Sequence, residues 1–159
     1  MYKPDRKRIT KLIKFIDEAA APRTIRMSSW SIPLYREDGR SCGTAFCIAG
    51  WATEMLGYNA DLTPVTQALE ELIDPTPGAF RGVGSPAYTE LHALYAGFRR
   101  ADDDTAYEMD LDAFDALPHK KRKEIVLNVL KHFRKTGEVR WDMFAPRKVF
   151  YSGLAGVAQ

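Results

Sequence analysis

Residues 41–56, SCGTAFCIAGWATEML, constrain the fold of this chain more than any other segment. Apolar or small side chains occupy most positions from Ala45 to Leu56, and Gly57 follows as a helix stop, so the pattern predicts a helix over 43–56. A helix that is apolar on all sides belongs in the middle of a core. We therefore expect a central, buried helix that also carries both cysteines of the chain.

Several other segments have the periodicity and end signals of helices. Their apolar residues recur at helical spacing, and proline follows Thr63 and Ser85 as expected at a first helical turn. The predicted helices are 5–20, one that starts at Thr63–Pro64, one from Ser85–Pro86 to about Phe98, and 118–135 with Gly137 beyond it. The pattern is typical of a compact, mainly α (α+β) domain in which helices 5–20 and 118–135 cover the central helix.

The segments between the helices predict turns and a little sheet. β-forming residues within 23–41 and in GEVRWDMF, 137–144, favour a short two- or three-stranded sheet. The segment 74–86, DPTPGAFRGVGSP, has three prolines and three glycines, which indicates a long loop. We expect one globular domain over 1–145 and a small, weakly polar tail over 146–159.

Composition narrows the classes of function. The chain has 159 residues, a formal net charge of +2 and two cysteines. No apolar run is long enough for a membrane span, so we expect no membrane association and a cytoplasmic setting with reduced thiols. A nearly balanced charge weighs against nucleic acid as a partner. The oligomeric state stays open, with a homodimer as one option.

The two cysteines allow three interpretations besides packing. Their five-residue spacing suits neither an internal disulfide nor a zinc clip, so we expect no metal and no cofactor. At a helix start Cys42 could serve as a thiolate nucleophile, with His92 or His119 as its base. His119 lies in a lysine-rich turn and His92 among apolar neighbours, so a thiol-dependent hydrolase or transferase is the alternative rather than the first interpretation.

Charged segments give weaker signals. Residues 102–115, DDDTAYEMDLDAFD, are acidic but lack the glycine and the register of a calcium loop, so a solvated acidic face is the expectation. The basic segments Lys3–Lys14 and His119–Arg122 could touch phosphates if they shared one face with aromatic residues between them. A DNA-binding regulator is therefore a second alternative.

Two short motifs resemble a family of small proteins from actinobacteria and their phages. The first motif is Cys42-Gly43-Thr44-x-x-Cys47-Ile48-Ala49-Gly50-Trp51, and the second is Thr136-Gly137-Glu138-Val139-x-Trp141. The family usually has aspartate before the last tryptophan, where this chain has Arg140. The resemblance implies a phage or mobile-element accessory protein in a host cytoplasm, and it assigns no activity to any residue.

The first interpretation of function is a non-enzymatic binding protein. We expect it to bind a host protein or a small signalling nucleotide, with counter-defence as a biological role. Phe80 and Arg81 in the 74–86 loop are candidates for a binding surface. The second option is a ligand that approaches the glycines of residues 41–52, which we call the cysteine segment. This option makes Gly43, Thr44, Gly50 and Trp51 further candidates.

Overall fold

The computed structural model describes six stretches of the chain, and within 31–35 and 41–45 it describes the backbone alone. These stretches are 2–28, 31–35, 41–59, 62–82, 84–100 and 105–151. The helices in them are α1 Arg6–Ala19, α2 Ile48–Met55, α3 Gln67–Ile73, α4 Pro86–Ala96, α5 Leu111–Asp115, α6 His119–Thr136 and α7 Trp141–Phe144. Short 3-10 turns occur at Pro22–Thr24 and Arg147–Val149.

Two antiparallel strand pairs complete the architecture. Strand β1, Ser31–Tyr35, pairs with β2, Ser41–Phe46, and strand β3, Phe98–Arg99, pairs with β4, Tyr107–Glu108. The predicted class, mainly α with a small sheet, is confirmed.

The long helices α1 and α6 lie side by side and run antiparallel. Arg6 at the start of α1 donates to the carbonyl of Lys135 at the end of α6, and Lys123 near the start of α6 donates to the carbonyls of Asp17 and Ala20. Their facing apolar stripes are buried because each helix is amphipathic. Local signals were sufficient here, since Asp5 caps α1 and Gly137, at φ +80°, ends α6 as predicted.

The predicted helix over 43–56 starts later than expected. Residues Ser41–Phe46 form β2, and the helix begins only at Ile48, with Cys47 at its cap position. The physical reason is the pairing with β1, together with a bond from the Arg26 amide to the Phe46 carbonyl. These partners lie earlier in the chain, and they hold the backbone extended although the side chains also fit a helix.

The helical part of that segment is central, as predicted. Residues 48–53 are all buried, and α2 packs chiefly against α3, with α1 and α4 as further neighbours. Helix α6 packs chiefly against α1. Helix α3, rather than the predicted helix 118–135, is therefore the main neighbour of the central helix.

Three other boundaries differ from the sequence prediction. Thr63–Pro64 precedes a turn, and α3 begins at Gln67. The predicted strand within 137–144 is instead the short helix α7, which Trp141 anchors by donating to the Ala93 carbonyl. Val149 and Phe150 are buried, so packed chain continues past residue 145. Among the described residues, no helix has both the length and the apolar character that a bilayer crossing requires.

Candidate functional site

The cysteine segment is enclosed where its side chains are described. Cys47 is 4% exposed, and burial raises the pKa of its thiol, against the opposing hydrogen bonds from the Gly50 and Ala49 amides. A protonated, buried thiol is a poor nucleophile. Gly43 and Thr44 lie in β2 rather than at a helix start, and the side chain of Cys42 lies outside the described side chains.

Gly50 and Trp51 belong to the core. Gly50 is buried in α2, and the Trp51 ring packs edge-on against Phe46 and Phe15. The Trp51 indole Nε1–H is buried without a hydrogen-bond partner among the described residues. With 6% of Trp51 exposed, neither residue presents a surface to solvent.

The two histidines considered as bases have structural partners. The Nδ1 of His92 lies 3.2 Å from the Phe98 carbonyl oxygen, and the ring contacts Tyr88, Tyr95 and Phe98. For His119, Nδ1 lies 2.6 Å from Nη2 of Arg122. Each imidazole therefore has one ring nitrogen engaged within its own neighbourhood.

A buried ion pair in the core was not predicted from the sequence. Glu90 and Arg99 contact each other directly, and the second carboxylate oxygen of Glu90 accepts the Val139 amide at 2.7 Å. The Tyr107 hydroxyl donates to the Val139 carbonyl at 2.6 Å. Because every oxygen of the carboxylate is used, this network joins α4, β3, β4 and the segment after α6 rather than forming an open site.

A second buried carboxylate holds the chain before β1. Asp115 accepts the amides of Met27 and Ser28 and the Ser28 hydroxyl, and its backbone carbonyl accepts from Arg122. Arg26 Nε lies 4.0 Å from Oδ2 of Asp115. Three of these hydrogen bonds involve backbone groups, which is the pattern of a structural clamp.

A solvent-open cavity lies between the N-terminal segment, the end of α3 and the start of α4. It is a cleft of about 640 Å³. Its lining residues are Tyr2, Lys3, Asp74, Thr76, Ala79, Pro86 and Ala87. Its volume lies within the range of about 300–1,000 Å³ that is usual for small-molecule sites.

Hydrogen bonds fix the polar wall of the cleft. The Tyr2 hydroxyl donates to Oδ2 of Asp74 at 3.1 Å, and the Thr76 amide donates to Oδ1 at 3.0 Å. Burial opposes ionisation of Asp74, but hydrogen bonds from the Thr76 side chain, the Thr76 amide and Tyr2 outweigh it, so the pKa of the carboxyl lies below its usual value. Burial, followed by the charge of Asp74, raises the pKa of the Tyr2 hydroxyl. At neutral pH the wall thus holds a carboxylate and a protonated phenol.

Electropositive groups also border the cleft. Lys3 is exposed at its edge, and Pro86–Ala87 is the first turn of α4, whose N-terminus carries the positive end of the helix dipole. The cleft therefore combines a cation and a helix N-terminus with a carboxylate.

The 74–86 loop takes part in this cleft, although through other residues than those predicted. Thr76 and Ala79 line it, while Phe80 is half-buried against the core and Arg81 is exposed. The sequence prediction named Lys3 only as part of a basic segment, and it missed Tyr2 and Asp74. No local pattern could join Tyr2 to Asp74, because 72 positions separate them and only the folded chain brings them together.

Among the described residues, no group of three or more His, Cys, Asp or Glu side chains is arranged to hold a metal ion. Comparisons with protein families, with curated proteins and with solved structures find no match to this chain.

Proposed function

We propose that this protein acts by binding, without catalysis, and that its ligand is a small nucleotide-type molecule in the cleft of Tyr2, Lys3 and Asp74. The observation that carries the proposal is the polarity of that cleft. Lys3 and the first turn of α4 suit a phosphate group, since helix N-termini attract anions. The Asp74 carboxylate accepts hydrogen bonds and suits ribose hydroxyls or an exocyclic amine.

The placement of the candidate catalytic groups supports the same proposal. The Cys47 thiol is buried, with its pKa raised, and His92 is engaged with Phe98 among aromatic rings. The resemblance of the two motifs to phage-encoded proteins adds a biological setting, in which the chain sequesters a signalling nucleotide of the host as a counter-defence protein. The alternative partner in this proposal is a host protein in place of the nucleotide.

The test is the melting temperature in the presence of ADP-ribose or a cyclic dinucleotide. A ligand present at about 100 times its Kd stabilises the native state by about 2.7 kcal/mol, which for a chain of this size raises Tm by about 5–10 °C. We expect such a shift for the wild type with at least one of these ligands.

Two variants locate the binding. Ala79→Trp fills the cleft and Lys3→Gln removes its cation, so both should abolish or greatly reduce the shift. Ala19→Trp places the same side chain at an exposed position at the other end of α1 and should retain it. If no nucleotide changes Tm, or if the Ala79→Trp protein responds as the wild type does, the proposal fails.

A further inference from the structure

The packing of α1 against α6 concentrates positive charge on one face of the protein. Helix α1 contributes Arg6, Lys7, Lys11 and Lys14, all exposed. Because the helices run antiparallel, with Arg134 donating to the Thr10 hydroxyl at 3.1 Å, the last turns of α6 lie beside the first turns of α1. Lys131, Arg134 and Lys135 therefore extend the same surface. We call these seven residues the basic face.

Little within the protein neutralises this face. Lys14 has Glu18 at 4.0 Å, but both side chains are largely exposed, and such pairs contribute little. Among the described residues, no acidic side chain forms an ion pair with Lys7, Lys11 or Lys131. The net charge of +2 hides this arrangement because acidic residues elsewhere in the chain balance it.

We propose that the basic face binds the phosphate backbone of duplex DNA without sequence preference. Two adjacent helices, with axes about 8–10 Å apart, present two rows of cations to a polymer that carries one charge per 1.7 Å of its axis. Lysine and arginine are the residues that make such contacts. This site is distinct from the cleft and goes beyond the function proposed above.

The composition of the face favours DNA over a membrane. A helix that lies on a bilayer inserts an apolar face among the lipids. Here the apolar stripes of α1 and α6 are buried in the core, and the large exposed apolar side chains of the described chain belong to neither helix.

The polar group between the two helices gives no preference for duplex RNA. Duplex RNA is recognised by shape and by contacts to phosphates and 2′-hydroxyl groups, so hydroxyl recognition is what RNA would add to the phosphate contacts. The Thr10 hydroxyl is already used, since it donates to the Arg6 carbonyl at 2.8 Å and accepts from Arg134.

The test is the fluorescence anisotropy of a labelled 24-base-pair DNA duplex titrated with the protein between 50 and 200 mM salt. If four cations contact phosphates, the slope of log K against log salt is about −3.6. We expect the pair Lys11→Glu/Lys131→Glu to weaken binding at least tenfold and to reduce the slope by about 2, because two phosphate contacts are lost.

The matched control is Arg147→Glu/Lys148→Glu. It changes the net charge equally, at two exposed positions outside α1 and α6, and should leave the affinity within threefold of the wild type. The Ala79→Trp protein should bind the duplex as the wild type does, which separates this result from the cleft.

Four outcomes would overturn the proposal. They are no binding at 50 mM salt, equal losses in the two double variants, tighter binding to an RNA duplex of the same sequence, and equal affinity for polyglutamate or for anionic vesicles. Thermal melts of both double variants verify that each protein is folded.

Discussion

Glu90 is the residue on which several elements converge. One carboxylate oxygen accepts from Arg99 and the other from the Val139 amide, and the residue is 4% exposed. Burial raises the pKa of Glu90, and the bonds from Arg99 and Val139 oppose that effect. The charge of Glu90 in turn raises the pKa of Arg99 despite its burial, so Arg99 stays protonated in the core. Glu90 therefore outweighs the desolvation of Arg99, whereas Arg99 and Val139 only partly offset the desolvation of Glu90.

We expect Glu90→Gln to destabilise the fold by about 3–5 kcal/mol, because it leaves a buried guanidinium without its counter-charge. Glu124→Gln is the control, since Glu124 is exposed on α6 and pairs with Lys121 at the surface, where the expected change is below about 1 kcal/mol. Urea unfolding measures both. Equal midpoints for Glu90→Gln and the wild type would show that the pair contributes nothing to stability.

At the residue scale, the sequence predicted whether a side chain is buried better than it predicted which groups the side chain contacts. Burial of the thiol was expected from the apolar run around it, and Cys47 is buried. The partners of Glu90 could not be expected, because Val139 lies 49 positions away and glutamate on a helix is usually solvated.

The N-terminal segment packs against the end of α6, and this contact positions one wall of the cleft. Gly137 ends α6 at φ +80°, and a Cβ there would overlap the carbonyl oxygen of Tyr2. Tyr2 also stacks on Phe133 and reaches Asp74 through its hydroxyl. The segment before α1 is thus held between α6 and α3, which places Lys3 at the edge of the cleft.

We expect Gly137→Ala to destabilise the protein by about 2–4 kcal/mol, from the strained backbone and the overlap with Tyr2 together. Gly57→Ala is the matched control, because Gly57 has φ +72° but open space around its Cβ position, so only the strain of about 1–2 kcal/mol applies. Thermal and urea unfolding give the difference. If both glycines respond alike, the close approach of Tyr2 is not a constraint on the fold.

At the element scale, predictions succeeded where the signal was local. Asp5 and Ser85 cap α1 and α4 through their side chains, and each lies beside the helix that it predicts. The start of α2 was predicted too early. Pairing of β2 with β1 keeps residues 41–46 extended, and that pairing depends on residues outside the segment. The cleft escaped prediction for the same reason, since its walls come from three separate parts of the chain.

On the scale of the whole molecule, the N-terminal segment connects two polar surfaces along the chain. Tyr2 and Lys3 belong to the cleft, and the basic face begins three positions after Lys3, at Arg6. The bond from the Asp5 amide to the Ile73 carbonyl, at 2.7 Å, ties the start of α1 to the end of α3 between them. A polar cleft together with a cationic face agrees with the two binding roles that we propose.

The central claim is that a small nucleotide-type ligand occupies the cleft, and the most direct measurement is an NMR titration of the ¹⁵N-labelled protein with ADP-ribose. We expect saturable shifts of the amide signals of Tyr2, Lys3, Asp74, Thr76, Ala79 and Ala87. Saturable shifts centred on residues 41–52, with the cleft amides unchanged, would contradict this claim and would locate the ligand at the cysteine segment.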